Sequence, residues 1–131
     1  MTEVLLVAYE SRPDAVVLAK KAVSQLQSTE ISVDLLVIGE TFELPPVSER
    51  AIVVSLGGDG TFLRAARIAH SNSATVMGVN LGRVGFLVPT EPSEIVSHIT
   101  SFASGNVVVE DRIVLDVALS DGSHDIAINE V

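Results

Sequence analysis

The sequence predicts an α/β fold: an open, mostly parallel sheet with flanking helices, followed by the first strands of a truncated β-rich domain. Three observations predict it. Short apolar runs alternate with segments of helical periodicity, the pattern of a parallel α/β sheet. Aromatics make up 4% of the chain and Trp is absent, so Val, Ile, Leu and Ala must fill the core, as they do in strands covered on both faces. From Val107 onward the alternation stops and only strand-like segments remain.

Val4 to Ala8 reads as a buried strand. Ser11-Arg12-Pro13-Asp14 reads as a helix start, with Pro13 in the first turn and Asp14 near the positive end of the dipole. Ala15, Leu18, Ala19, Ala22, Val23 and Leu26 then recur at helical spacing. Val33 to Ile38 is a second strand, and Gly39 to Arg50, with Pro45-Pro46, is a loop. Ala51 to Leu56 is a third strand, buried throughout. Thr61 to His70 is helical, and Ala74 to Val79 is a fourth strand. Glu91 to Ser104 is a helix with Ile95, Val96, Ile99 and Phe102 on one face and Gly105 as its cap. Val107 to Leu119 alternates loosely, Asp121-Gly122 marks a hairpin turn, and His124 to Val131 begins a return strand. The expected division is an α/β domain over residues 1–104 and the start of a β-rich domain over 105–131.

Composition narrows the function. The chain has 131 residues, 47% of them hydrophobic, and a mean hydropathy of +0.46, ample for a core. A net charge of −9 disfavours nucleic-acid tracking and anionic membranes. It also means that a phosphate site must rest on local donors and on Mg²⁺. The absence of cysteine excludes disulfides, thiol catalysis and Cys-ligated metal. Met1-Thr2-Glu3-Val4 has no basic n-region, and no apolar run approaches the ~20 residues of a membrane span. A cytoplasmic protein is expected.

The most informative segment is Ser55-Leu56-Gly57-Gly58-Asp59-Gly60-Thr61, between a strand and a helix. Glycines there permit close approach of a phosphorylated ligand to a helix N-terminus. Asp59 supplies a base or a metal ligand. A Walker A loop is excluded because no Lys follows, and the dinucleotide fingerprint lacks its third glycine. The plainer alternative is a tight turn with Asp59 as helix N-cap. Arg64, read as lying in the first turn, opposes the helix dipole unless an anion sits there. Arg67 reads as an ordinary surface residue and His70 as a polar helix end. A second cluster, Gly78-Val79-Asn80-Leu81-Gly82-Arg83-Val84-Gly85-Phe86-Leu87, follows the next strand and should share the carboxyl-edge crevice. Asn80 is placed to orient the Asp59 loop and Arg83 to meet phosphate or solvent, while Phe86-Leu87 reads as core.

Together with Glu110-Asp111-Arg112 and Asn129-Glu130, these segments resemble NAD kinase, in the order and spacing of the N-terminal portion of a bacterial member. The Gly-Gly-Asp-Gly loop alone also occurs in lipid kinases and, more loosely, in phosphofructokinases; the second cluster plus Asn-Glu separates NAD kinase from them. The resemblance implies transfer of a phosphoryl group to the adenosine ribose 2′-hydroxyl of NAD, giving NADP, with ATP or polyphosphate as donor and Mg²⁺ as cofactor. It implies Asp59 as catalytic base, Gly57, Gly58, Gly60, Thr61 and Arg64 around the nucleotide, and Asn129 and Glu130 on the adenosine part. It also implies a β-rich C-terminal domain that completes the NAD site and supports a homo-oligomer. The alternatives are a truncated, non-catalytic nucleotide-binding fragment, or a lipid or sugar kinase relative.

Overall fold

In the computed structural model of this chain, the residues described are 3–39, 46–81, 94–105, 115–118, 120 and 124–127. The elements run β1 (Glu3–Tyr9), α1 (Pro13–Leu26), β2 (Ser32–Ile38), β3 (Ile52–Gly57), α2 (Asp59–Ser71), β4 (Thr75–Asn80), α3 (Ile95–Ala103), β5 (Leu115–Ala118) and β6 (His124–Ala127). The first four strands form one parallel sheet in the order β2-β1-β3-β4. β5 and β6 form a separate antiparallel pair, with Ala118 opposite His124.

Alternation along β1 and β3 divides the core in two. Val4, Leu6 and Ala8 face one side with Ile52, Val54 and Leu56. α1 covers that side through Ala15, Ala19, Ala22 and Leu26, and α3 through Ile95 and Ile99. Three alanines on one helical stripe let α1 lie close to the strands. Val7 and Val53 point the other way, onto Ala65, Ile68 and Ala69 of α2. β3 is buried along its whole length, as a central parallel strand with both faces covered must be.

The helix ends have local causes. Pro13 opens α1, where its missing N–H costs nothing. Gly105 follows α3 with φ of 75°, and its N–H donates to the Phe102 carbonyl at 3.0 Å, a left-handed cap that suits glycine. α3 runs from Ile95 with Glu94 as its N-cap, where the sequence predicts a helix from Glu91; residues 91–93 lie outside the described residues. So does the Asp121-Gly122 turn. None of the helices among the described residues is long and apolar enough to cross a membrane.

Candidate active site

The strand order sets the place of the site. The chain leaves β1 for α1 on one face and leaves β3 for α2 on the other. Adjacent strands whose exits diverge open a crevice at the carboxyl edge, the usual ligand position in such sheets. Gly57-Gly58-Asp59-Gly60-Thr61 is the exit of β3.

Gly57 ends the strand and Gly58 is the N-cap of α2, so Asp59 is the first helical residue. This corrects two expectations. The helix starts two residues before Thr61, and Asp59 is not the cap. It also moves Arg64 from the first turn to the second, where the dipole is already weak, so its charge by itself no longer signals an anion. The first-turn position belongs instead to the Asp59 carboxylate, which the dipole favours. The amide of Phe62 donates to the Gly58 carbonyl at 3.1 Å and closes the first turn. The amides of the three preceding residues have no carbonyl within the helix to bond.

The three glycines differ in what holds them. A Cβ on Gly57 would stand 2.5 Å from Oγ1 of Thr61, a buried, β-branched residue of α2. Packing therefore requires glycine at 57. At Gly58 and Gly60 no described atom comes within 4 Å of an added Cβ. Gly58 has φ of −106°, open to any residue, and Gly60 lies inside a helix, where glycine costs roughly 0.5–1 kcal/mol against alanine. No described atom gives a steric reason for glycine at either position, although Gly58 suits its place as N-cap.

Two side chains that the sequence did not single out border the loop. The Arg64 guanidinium lies over the Tyr9 ring, 5.4 Å from its centroid, so the end of β1 orients an exposed cation of α2. Arg12, just beyond β1, donates from Nε to Oδ1 of Asp14 at 3.1 Å and from Nη2 to Oδ2 at 2.9 Å. Nη2 also reaches the Leu81 carbonyl at 3.2 Å. The Arg12 hydrogen bond holds the Asp14 carboxyl below its ordinary range and raises the guanidinium pKa. The Leu81 amide donates to the Gly57 carbonyl at 3.1 Å, one step past the β3–β4 ladder. Neither Tyr9 nor Arg12 carries a local pattern that would have marked these longer contacts; Arg64 and Leu81 are remote from them in sequence.

Arg67 and His70 are exposed. Asn80 is the last residue of β4. Its neighbours Gly82, Arg83, Val84, Gly85, Phe86 and Leu87 lie outside the described residues, as do Glu110-Asp111-Arg112, Asn129 and Glu130.

Residues 46–107 match the family described as the ATP-NAD kinase N-terminal domain. An NAD kinase of Corynebacterium diphtheriae is 36% identical over an alignment covering 92% of this chain and 43% of that protein. One of Mycobacterium bovis is 33% identical, covering 98% of this chain and 50% of its own length. The chain thus spans about half the length of the curated relatives it matches. Among solved structures, yeast NADH kinase complexed with NADH superposes with a TM-score of 0.68 at 18% identity, over 98% of this chain and 46% of that one. An NAD kinase from Archaeoglobus fulgidus in complex with ATP gives 0.54 at 24% identity, over 91% and 44%. These two likenesses establish the shared fold.

Proposed function

This chain belongs to the NAD kinase family, as its N-terminal portion, and we propose that the complete protein phosphorylates the 2′-hydroxyl of the adenosine ribose of NAD to give NADP. The observation that carries the reading is the pair Gly58 and Gly60 flanking Asp59. An added Cβ would meet no described atom at either, and both stand at a helix N-terminus on the edge where such sheets bind ligands. A ligand that approaches the backbone closely gives them a reason.

The chemistry follows from that placement. The Asp59 carboxylate accepts the proton of the 2′-hydroxyl as the hydroxyl oxygen bonds to the terminal phosphorus of the donor. The bond from that phosphorus to its bridging oxygen breaks, and ADP, or the shortened polyphosphate, leaves with the electron pair. Alignment matters more than base strength here, because the proton is lost late in a loose transition state. Gly57, Gly58, Gly60 and Thr61 line the approach, and Arg64, steadied on Tyr9, meets the nucleotide. Asn129 and Glu130 hold the adenosine part. Mg²⁺ carried on the donor's phosphates would neutralise the moving phosphoryl group, and Asp59 is the carboxylate of this loop that would help to hold it.

Residues 1–104 are assigned to the nucleotide-binding domain and 105–131 to the start of a β-rich one. The protein is placed in the cytoplasm as a homo-oligomer, without nucleic-acid or membrane partners, on the strength of its −9 charge and of the resemblance.

The test is Asp59→Asn in the complete protein, followed by NADP formation and by NAD titration calorimetry. The shape is kept and the base removed, so kcat should fall about 10²–10⁴-fold with NAD affinity nearly intact. Turnover close to that of the unsubstituted protein would reduce Asp59 to a structural residue.

A further inference from the structure

We propose that Arg12 is a positioning residue that clamps the exit of β4 against the Gly57 loop. The proposal rests on the phosphoryl-transfer reading, which needs the glycine segments after β3 and after β4 on one edge.

Leu81 is the first residue beyond β4, and both of its backbone polar groups are taken. Its N–H goes to the Gly57 carbonyl and its carbonyl to Arg12. β3 lies between β1 and β4. The reach from Arg12 to Leu81 therefore passes the end of β3, where Gly57 and Gly58 turn into α2. The Arg12 side chain holds the Leu81 carbonyl while the Leu81 N–H holds Gly57, and the two bonds together link the segment after β1 with the exits of β3 and β4.

The anchoring matches that task. Arg12 stands at the N-cap position of α1, yet its side chain caps nothing there. Two of its nitrogens are engaged by Asp14, so the guanidinium is oriented before it reaches Leu81. A planar fork can serve carboxylate and carbonyl together, which a lysine ammonium cannot do in the same geometry. The carboxylate stays charged well below neutrality, so the clamp is permanent and not a pH switch. The Arg12–Asp14 pair is largely exposed and adds little to stability as an ion pair. Its effect lies in where it sends the chain.

The experiment uses the complete protein with Arg12→Ala, Arg12→Lys and Asp14→Asn. Amide hydrogen exchange is followed in peptides spanning 79–90 and 52–57, beside kcat and KM for NADP formation and the melting temperature. Arg12→Ala should speed exchange at Leu81 while β3 stays protected, and should cut kcat/KM about ten- to a hundredfold, the scale of an ångström-sized misplacement. Arg12→Lys and Asp14→Asn should fall between the alanine variant and the parent. Unchanged exchange at Leu81 would overturn the clamp. So would faster exchange throughout the sheet with a falling melting temperature, since Arg12 would then support the fold at large. Faster exchange with unchanged kcat/KM would overturn its part in the reaction. A parent protein that makes no NADP from NAD and ATP would overturn the kinase reading, and the exchange comparison would still decide the clamp.

Discussion

Gly57 and Gly60 are three residues apart and glycine for different reasons, which makes them a matched pair of probes. Alanine at 57 drives a methyl to 2.5 Å from Thr61 Oγ1, and Thr61 is buried against the sheet. Overpacking of this kind costs typically 1–3 kcal/mol, so Gly57→Ala should lower the melting temperature. Alanine at 60 meets no described atom and improves helix propensity by up to about 1 kcal/mol. Gly60→Ala should leave the melting temperature level or raise it slightly, while NAD binding or turnover falls. Thermal melts and NADP assays on the two variants separate the roles. A Gly60→Ala protein with full activity would mean that no ligand approaches there. The loop itself was readable in the sequence, because strand, glycines, acid and helix are consecutive. Its orientation was not. Arg64 meets Tyr9, and Arg12 meets Leu81 across 69 positions; only the strand order brings such residues together.

β3 shows how an element can be read correctly and still hide something. Its apolar run, broken only by Ser55, predicts a strand covered on both faces, and the structure buries every residue of it. Within that run Ser55 is fully buried, and its hydroxyl has no hydrogen-bond partner among the described residues. An unpaired buried hydroxyl costs about 1–3 kcal/mol by mutational measures. Ser55→Ala should therefore be neutral or stabilising by about 1 kcal/mol, checked by urea unfolding. A clear loss of stability would mean that the hydroxyl has a partner that the described residues do not include. The boundary of α2 was harder to place than the strand. Gly-Asp-Gly has low helix propensity, so reading from sequence puts the start at Thr61. In the fold, Asp59 and Gly60 join the helix, since a carboxylate is favoured in the first turn and Gly58 can turn the chain as N-cap.

At the scale of the whole molecule, the residues assigned to the nucleotide fall in two groups. Asp59, Gly60 and Arg64 stand on α2, beside the parallel sheet, and Asn129 and Glu130 come near the end of the sequence of a chain that spans about half the length of its relatives. Phosphoryl transfer requires the hydroxyl, the base and the donor in line, and most of the catalytic effect comes from that alignment. On the proposed reading, the part of the relatives that this chain does not span helps to enclose the nucleotide. β5 and β6 raise a second difficulty. They form a sheet of two four-residue strands, which is marginal in isolation, and each presents an outer edge with no strand partner among the described residues. Such edges pair with other chains. The 131-residue chain, purified alone, should therefore make no NADP above background in a coupled assay and should self-associate in light scattering, while the complete protein should be active. A monodisperse monomer that forms NADP robustly would refute this, and would put the whole site within these residues.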